Sequence, residues 1–303
     1  MENNNITKRI LELKEKRKAI ILAHNYQLGE VQDIADYVGD SLGLSQTASK
    51  TEAEVIIFCG VHFMAETASL LCPNKLVLMP DLNAGCAMAN MITLRQLRET
   101  KRRHPHAVVI CYINSTAQIK AESDYCCTSA NAVKIVEHIP KDREVLFIPD
   151  KYLGSYVASQ LKRDLILWEG YCPTHRRILA EDILKNKNLH PKAEVLVHPE
   201  CTPDVIAMAD KVLSTSGIIR YVSESSSEEF IIGTEIGILH ALKKKEPNKK
   251  FYPASLLADC SNMKLTNLEK ILWSLEDMLY EIKVPQDIAA KARKSIERML
   301  ELS

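Results

Sequence analysis

Hydrophobic and polar positions along the chain form a pattern that occurs three times. Each copy opens with a short apolar, β-rich run ending in polar side chains: AIILAHNY at 19–26, AVVICYIN at 107–114 and AEVLVHPE at 193–200. His24 to Tyr112 is an offset of 88 residues and Tyr112 to His198 one of 86. A hydroxyl-bearing segment follows in each copy, GDSLGLS with Ser41, CTSANAV with Ser129 and STSGII with Thr215, at the same two offsets. Then VIIFCGVHFMAETA, EVLFIPDKYLGSYVA and EFIIGTEIGILHAL each pass from a β-branched run through a polar break to apolar residues at helical spacing, which predicts a strand entering a helix. A further strand in KLVLMPDLNAGC, DLILWEGYC and KFYPASLLADC leads to Cys86, Cys172 and Cys260.

Self-similarity at a fixed period of this kind decides the fold before any single element does. Strands alternating with helices predict parallel sheets covered on both faces by right-handed crossovers. The expected fold class is α/β: three homologous three-layer α/β/α domains with parallel sheets around a pseudo-threefold axis and the active site at the centre. The units run 19–106, 107–192 and 193–281. The terminal segments 1–18 and 282–303 read as amphipathic helices near the first unit, expected to pack on each other and to fasten the third unit to the first.

Composition narrows the partners. Of 303 residues, 39 are Lys or Arg and 39 Asp or Glu, so no basic field favours nucleic acid and the expected ligand is small. The longest apolar runs fall short of the roughly 18 residues of a membrane span, and the first residues are not a signal peptide; a cytoplasmic location without membrane attachment is expected. The nine cysteines are odd in number and no pair is spaced C-x-x-C. Disulfides, zinc ribbons and ferredoxin-type runs therefore lose support, and a metal would be held by cysteines far apart in sequence.

Ligands of open parallel sheets bind beyond the carboxyl ends of the strands, and the recurring polar residues all fall there. Cys86, Cys172 and Cys260 would converge as three soft thiolates, suited to an iron–sulfur cluster or to zinc. Cys59 and Cys111 sit inside β-runs and read as core, and Cys72, Cys126, Cys127 and Cys201 lack counterparts in the other copies. The first-strand ends supply His24, Asn25 and Tyr26, then Tyr112 and Asn114, then His198 and Glu200, a set whose imidazole, phenol and carboxylate groups can carry protons near neutral pH. Ser41, Ser129, Thr215 and Ser216 stand where helices or tight turns begin, as plain caps or as part of a site for carboxylate or phosphate. GTEIG at 233–237 is no dinucleotide or phosphate-loop fingerprint.

The segments AHNYQ, GDSLGLS, YINST, CTSANAV, GYCPTH, HPEC, STSG, GTEIG and CSNMK, in this order, resemble the quinolinate synthase family from end to end. The resemblance implies three α/β/α domains and an NAD-biosynthesis enzyme that condenses iminoaspartate with dihydroxyacetone phosphate to give quinolinate, phosphate and two waters. It implies a 4Fe-4S cluster with three cysteine ligands, Cys86, Cys172 and Cys260, whose unique iron acts as a Lewis acid in dehydration. By the same resemblance His24, Tyr26, Ser41, Tyr112, Asn114, Ser129, His198, Glu200, Ser214 and Thr215 line the substrate cavity. Glu200, Tyr26, His198, Tyr112 and His24 would carry the acid–base steps, with Glu200 and Tyr26 foremost, and the family histidine three residues beyond the middle cysteine is His175. Implied partners are the two small-molecule substrates and an oxidase or dehydrogenase supplying iminoaspartate. Two other readings stay open on the residues alone: a different dehydratase using the same open iron, and a zinc-stapled or metal-free binding protein for a dicarboxylate.

Overall fold

In the computed structural model, which describes residues 2–303, the threefold pattern becomes three four-stranded sheets. The first region runs α1 (Glu2–Lys16), β1 (Ala19–His24), α2 (Gly29–Ile34), β2 (Tyr37–Gly39), α3 (Ser41–Lys50), β3 (Val55–Cys59), α4 (His62–Leu71), β4 (Leu76–Leu78) and α5 (Leu94–Arg103). The second runs β5 (Val108–Tyr112), α6 (Ala117–Ala121), β6 (Tyr125–Cys127), α7 (Ala132–His138), β7 (Val145–Ile148), α8 (Lys151–Leu161), β8 (Ile166–Leu167) and α9 (Ala180–Leu189). The third runs β9 (Glu194–Val197), α10 (Pro203–Ala207), β10 (Lys211–Val212), α11 (Thr215–Glu224), β11 (Glu229–Gly233), α12 (Ile238–Lys245), β12 (Lys250–Pro253) and α13 (Leu268–Asp277), and α14 (Gln286–Glu301) closes the chain.

The strand orders are β2-β1-β3-β4, β6-β5-β7-β8 and β10-β9-β11-β12, one topology used three times with every pair parallel. The fold is thus α/β with three repeated three-layer domains. Its central strands read as continuous apolar runs because helices cover both faces: VIIFC of β3 and VLFI of β7 are buried at every position. Register is equivalent as well, with Ala23 opposite Cys59, Cys111 opposite Ile148 and Val197 opposite Gly233. In each sheet the strand order reverses beside the first strand, so a crevice opens there at the carboxyl edge.

A polar staple recurs too. The carboxylates of Asp36, Asp124 and Asp210 accept the backbone N–H of Ile21, Val109 and Val195, at 2.8 Å in every case. Each aspartate precedes the short second strand and satisfies an N–H of the first strand where that neighbour has not yet begun, since buried donors need partners.

The terminal helices differ from expectation. Instead of packing chiefly on each other, α1 lies on α13 and β1, and α14 lies across α6 and β6. The apolar face of α1, with Ile10 and Leu13, shares a core with Leu268, Ile271 and Leu275 of α13. Ser295 of α14 donates to the Lys120 carbonyl at 2.9 Å, and Arg298 donates to that of Asp124 at 2.9 Å. The tie from the third repeat to the first is made by α13, because an amphipathic stripe fixes that a helix is covered but not by what.

Candidate active site

The three carboxyl edges face a single cavity of about 190 Å³. Corresponding positions line it from each repeat: Ser41, Ser129 and Thr215; Cys86, Cys172 and Cys260; and His24 and Tyr26, Tyr112 and Asn114, His198 and Glu200. Ser214 and Ser216 lie outside this lining, and Ser214 has another task. Its Oγ instead accepts the Gly217 N–H at 3.2 Å and caps α11, as Asp40 caps α3 through the Gly43 N–H at 2.9 Å. The capping position falls one residue before the recurring hydroxyl, which leaves Ser41 and Thr215 at the first turn of their helices, on the cavity wall.

The three cysteines are held in one way. The backbone N–H groups of His62, Lys151 and Ile236, just past the third strand of each sheet, donate to the carbonyls of Ala84, Gly170 and Ala258 at 2.8, 2.8 and 3.0 Å. Each carbonyl lies two residues before its cysteine. At Gly170 no side chain fits: a Cβ would stand 2.3 Å from the Pro149 carbonyl oxygen. The backbone N–H groups three residues on, at Ala89, His175 and Met263, face the thiols of Cys86, Cys172 and Cys260 and favour their thiolate forms. These are the three half-buried cysteines; the other six are buried. Burial pushes the Cys86 thiol up to about 12.

Around them runs a hydrogen-bonded chain drawn from all three repeats. Tyr112 O–H donates to Glu200 Oε1 at 2.5 Å, and Glu200 Oε2 lies 2.8 Å from His175 Nδ1. His175 Nε2 is 2.8 Å from Thr234 Oγ1, which is 2.6 Å from the Tyr26 hydroxyl; that hydroxyl also lies 2.9 Å from Thr215 Oγ1. His198 stacks on His175 with centroids 4.7 Å apart, and its Nε2 is 3.1 Å from Ser129 Oγ. Asn114 Oδ1 is buried with no partner, an acceptor free for a ligand.

The electrostatics follow from enclosure. Burial lowers His24 to about 4 and His198 to about 3, so both imidazoles are neutral at pH 7. Burial and the Glu200 charge raise the Tyr26 and Tyr112 phenols well above their ordinary range. Burial would raise Glu200 as well, but the neighbouring His175 imidazole above all, with His198 and the Tyr112 hydrogen bond, turns its net shift downward. Glu200 is therefore a carboxylate here. The donor atoms of Cys172, His175 and Glu200 all lie within 4.8 Å of one another, so this corner can also hold a cation.

Sequence reasoning gives Thr234 and Glu235 no role of their own, although their segment GTEIG belongs to the third repeat and to the family resemblance. Their placement directly after β11, like that of His198 after β9, was the available signal. His175 entered only through the resemblance, and its part in the chain of hydrogen bonds depends on contacts between repeats.

The chain is similar to known proteins along nearly its whole length. The model of the family described as quinolinate synthetase A protein matches residues 8–301. A quinolinate synthase of Dehalococcoides mccartyi (strain CBDB1) is 56% identical over 295 residues, 97% of this chain and 97% of the relative. One from Methanosarcina barkeri (strain Fusaro / DSM 804) is 53% identical over 300 residues, covering 99% and 98%. One from Desulforudis audaxviator (strain MP104C) is 56% identical over 293 residues, covering 97% of each.

Proposed function

The chain belongs to the quinolinate synthase family, enzymes of NAD biosynthesis, and from that membership we propose that it condenses iminoaspartate with dihydroxyacetone phosphate to give quinolinate, phosphate and two waters. The observation that carries the reading is the meeting of Cys86, Cys172 and Cys260, from equivalent loops, on the cavity that also holds the Tyr26–Thr234–His175–Glu200 chain. We place the three units at 19–106, 107–192 and 193–281, and the enzyme in the cytoplasm. Among the described residues no helix is long and apolar enough to cross a membrane.

The donor set fits a 4Fe-4S cluster held by three cysteines. The three thiols are soft, each faces a backbone N–H of the kind that tunes cluster sulfur, and among the described residues no fourth cysteine lines the cavity. When bound, such a cluster supplies an open Lewis-acidic iron that assists loss of water.

The protein's own residues supply orientation and proton transfer. With Glu200 ionised, His175 presents Nδ1–H to it and leaves Nε2 to accept from Thr234, whose oxygen accepts from Tyr26. A proton leaving Tyr26 can thus pass through Thr234 to His175, where Glu200 stabilises the imidazolium, so a phenol made weakly acidic by burial becomes a usable base. Tyr112, hydrogen-bonded to the other Glu200 oxygen, stays protonated as a donor. Neutral His24 and His198 are acceptors for substrate protons. Ser41, Ser129 and Thr215 hold carboxylate and phosphate groups, and Asn114 Oδ1 accepts an N–H or O–H of the ligand.

The test is anaerobic purification with iron, sulfide and zinc analysis, followed by assay with dihydroxyacetone phosphate and iminoaspartate made in situ by an aspartate-oxidising enzyme. Iron with sulfide and formation of quinolinate are expected. Zinc without iron, or a full cluster with no quinolinate, refutes the reading.

A further inference from the structure

One buried acid near the cavity takes no part in the proton chain. Glu235 has a fully buried side chain, and its two oxygens hold three groups, two of them from the segment that carries Cys260. Oε1 accepts the Cys260 backbone N–H at 3.0 Å and pairs with Lys264 Nζ at 2.8 Å, while Oε2 accepts the Gly237 N–H at 2.7 Å. The same Lys264 ammonium donates to the backbone carbonyl of Tyr26. The fit leaves no spare room: a Cβ on Gly237 would stand 2.7 Å from Lys264 Nζ, 2.8 Å from Glu235 Oε2 and 2.8 Å from the Tyr26 carbonyl carbon. Gln32 closes the junction from the first repeat, its amide donating to the carbonyls of Gly237 at 3.0 Å and Gln27 at 2.9 Å.

The other repeats show what is particular here. Two residues past the third strand, Glu235 has Asp150 as its counterpart in the second repeat and Val61 in the first. Asp150 accepts the N–H groups of Tyr152 and Leu153 at 2.8 and 2.9 Å, and the Cys172 N–H faces the same carboxylate more loosely. Val61 offers no acceptor. Two cysteine loops therefore lie against buried carboxylates, and of these Glu235 alone continues through a lysine to the turn that carries Tyr26.

We infer that Glu235 and Lys264 are positioning residues that lock the Cys260 loop onto the Tyr26 turn, so that one buried ion pair sets both a cluster ligand and the phenol of the proton chain. The physical basis is the rigidity of groups that support a metal ligand: removing such support commonly weakens metal holding about 10–100-fold without touching a ligand. This inference rests on the reading of Cys260 as a cluster ligand.

The test uses the full-length, cluster-loaded protein and the variants Glu235→Gln and Lys264→Met, with Glu229→Gln, a half-buried carboxylate paired to Lys250 and outside the cavity lining, as control. Transfer of iron to a chelator under anaerobic conditions should quicken about tenfold in both variants and not in the control. Their kcat should fall while KM stays near wild type, because the phenol moves and the substrate contacts do not. After iron removal, iodoacetamide labelling read by mass spectrometry should rise selectively at Cys260, with Cys86, Cys59 and Cys201 unchanged. Wild-type iron transfer and labelling in both variants, or a rise at every cysteine alike, would overturn the inference. If Glu235→Gln does not fold, Lys264→Met, which keeps the carboxylate and its two backbone bonds, decides by the same readouts. A wild-type protein that holds no iron would refute the cluster reading instead, and the labelling pattern would still judge the lock.

Discussion

The backbone staples of the three repeats and the side chains facing the cavity have diverged to very different degrees. Asp36, Asp124 and Asp210 make the same bond at the same 2.8 Å in all three sheets, and the loops before Cys86, Cys172 and Cys260 are pinned by the same carbonyl. At the first-strand ends, by contrast, the first and third repeats share a backbone N–H to histidine Nδ1 contact, Tyr26 to His24 at 3.2 Å and Glu200 to His198 at 3.3 Å, while the second carries Tyr112 and Asn114. One scaffold thus presents a phenol, an amide, imidazoles and a carboxylate at equivalent points. Repetition is kept where the chain must be held and given up where different chemistry is wanted.

The largest effects should come from breaking the repeated element that is itself chemical. Cys86→Ala, Cys172→Ala or Cys260→Ala should each abolish the cluster, measured as iron and sulfide per chain, whereas Cys59→Ala and Cys111→Ala should keep it. Equal loss at all five would dissolve the distinction between half-buried and buried cysteines. Next come the diverged residues. Tyr26→Phe, His175→Asn and Glu200→Gln should lower kcat about 10²–10⁴-fold with cluster content unchanged, read by quinolinate formation.

The held positions answer to stability instead. Asp36→Ala, Asp124→Ala and Asp210→Ala should each cost about 1–3 kcal/mol by denaturant titration, since each strands a strand N–H, while Ser129→Ala should stay within about 0.5 kcal/mol. A smaller, pH-dependent effect belongs to the buried imidazoles. His24 and His198 titrate at about 4 and about 3 in the fold, below the ordinary value of about 6.5. The unfolded chain therefore binds more protons as pH falls below about 6.5. Their contribution is fully present above that pH and is lost as pH drops towards 4, about 2 kcal/mol per histidine between pH 7 and pH 5. His24→Asn should flatten this slope by about half; an unchanged slope would contradict a neutral, buried His24.

Much of this comparison was legible in the sequence, because strands buried on both faces read as apolar runs and a recurring cysteine stands out against a varied background. The Asp36, Asp124 and Asp210 spacing was present too, but an aspartate before a strand carries no distinctive chemistry. The roles of Ser214 and Thr215 turned on which residue begins α11, a one-residue boundary that periodicity does not resolve. The partners of α1 and α14 were hidden because a polar–apolar stripe does not name its cover. His175, Thr234 and Glu235 gain their meaning only from neighbours in other repeats, far away in the chain.

The central claim is that the three edges together form one quinolinate-making site. The most direct measurement is a single-turnover assay under anaerobic conditions, comparing wild type with Glu200→Gln at equal iron and sulfide content, supplied with iminoaspartate and dihydroxyacetone phosphate. The account predicts one quinolinate per phosphate released from the wild type, and formation slower by about 10² or more in the variant. Phosphate release without quinolinate, or equal rates in the two proteins, would contradict it.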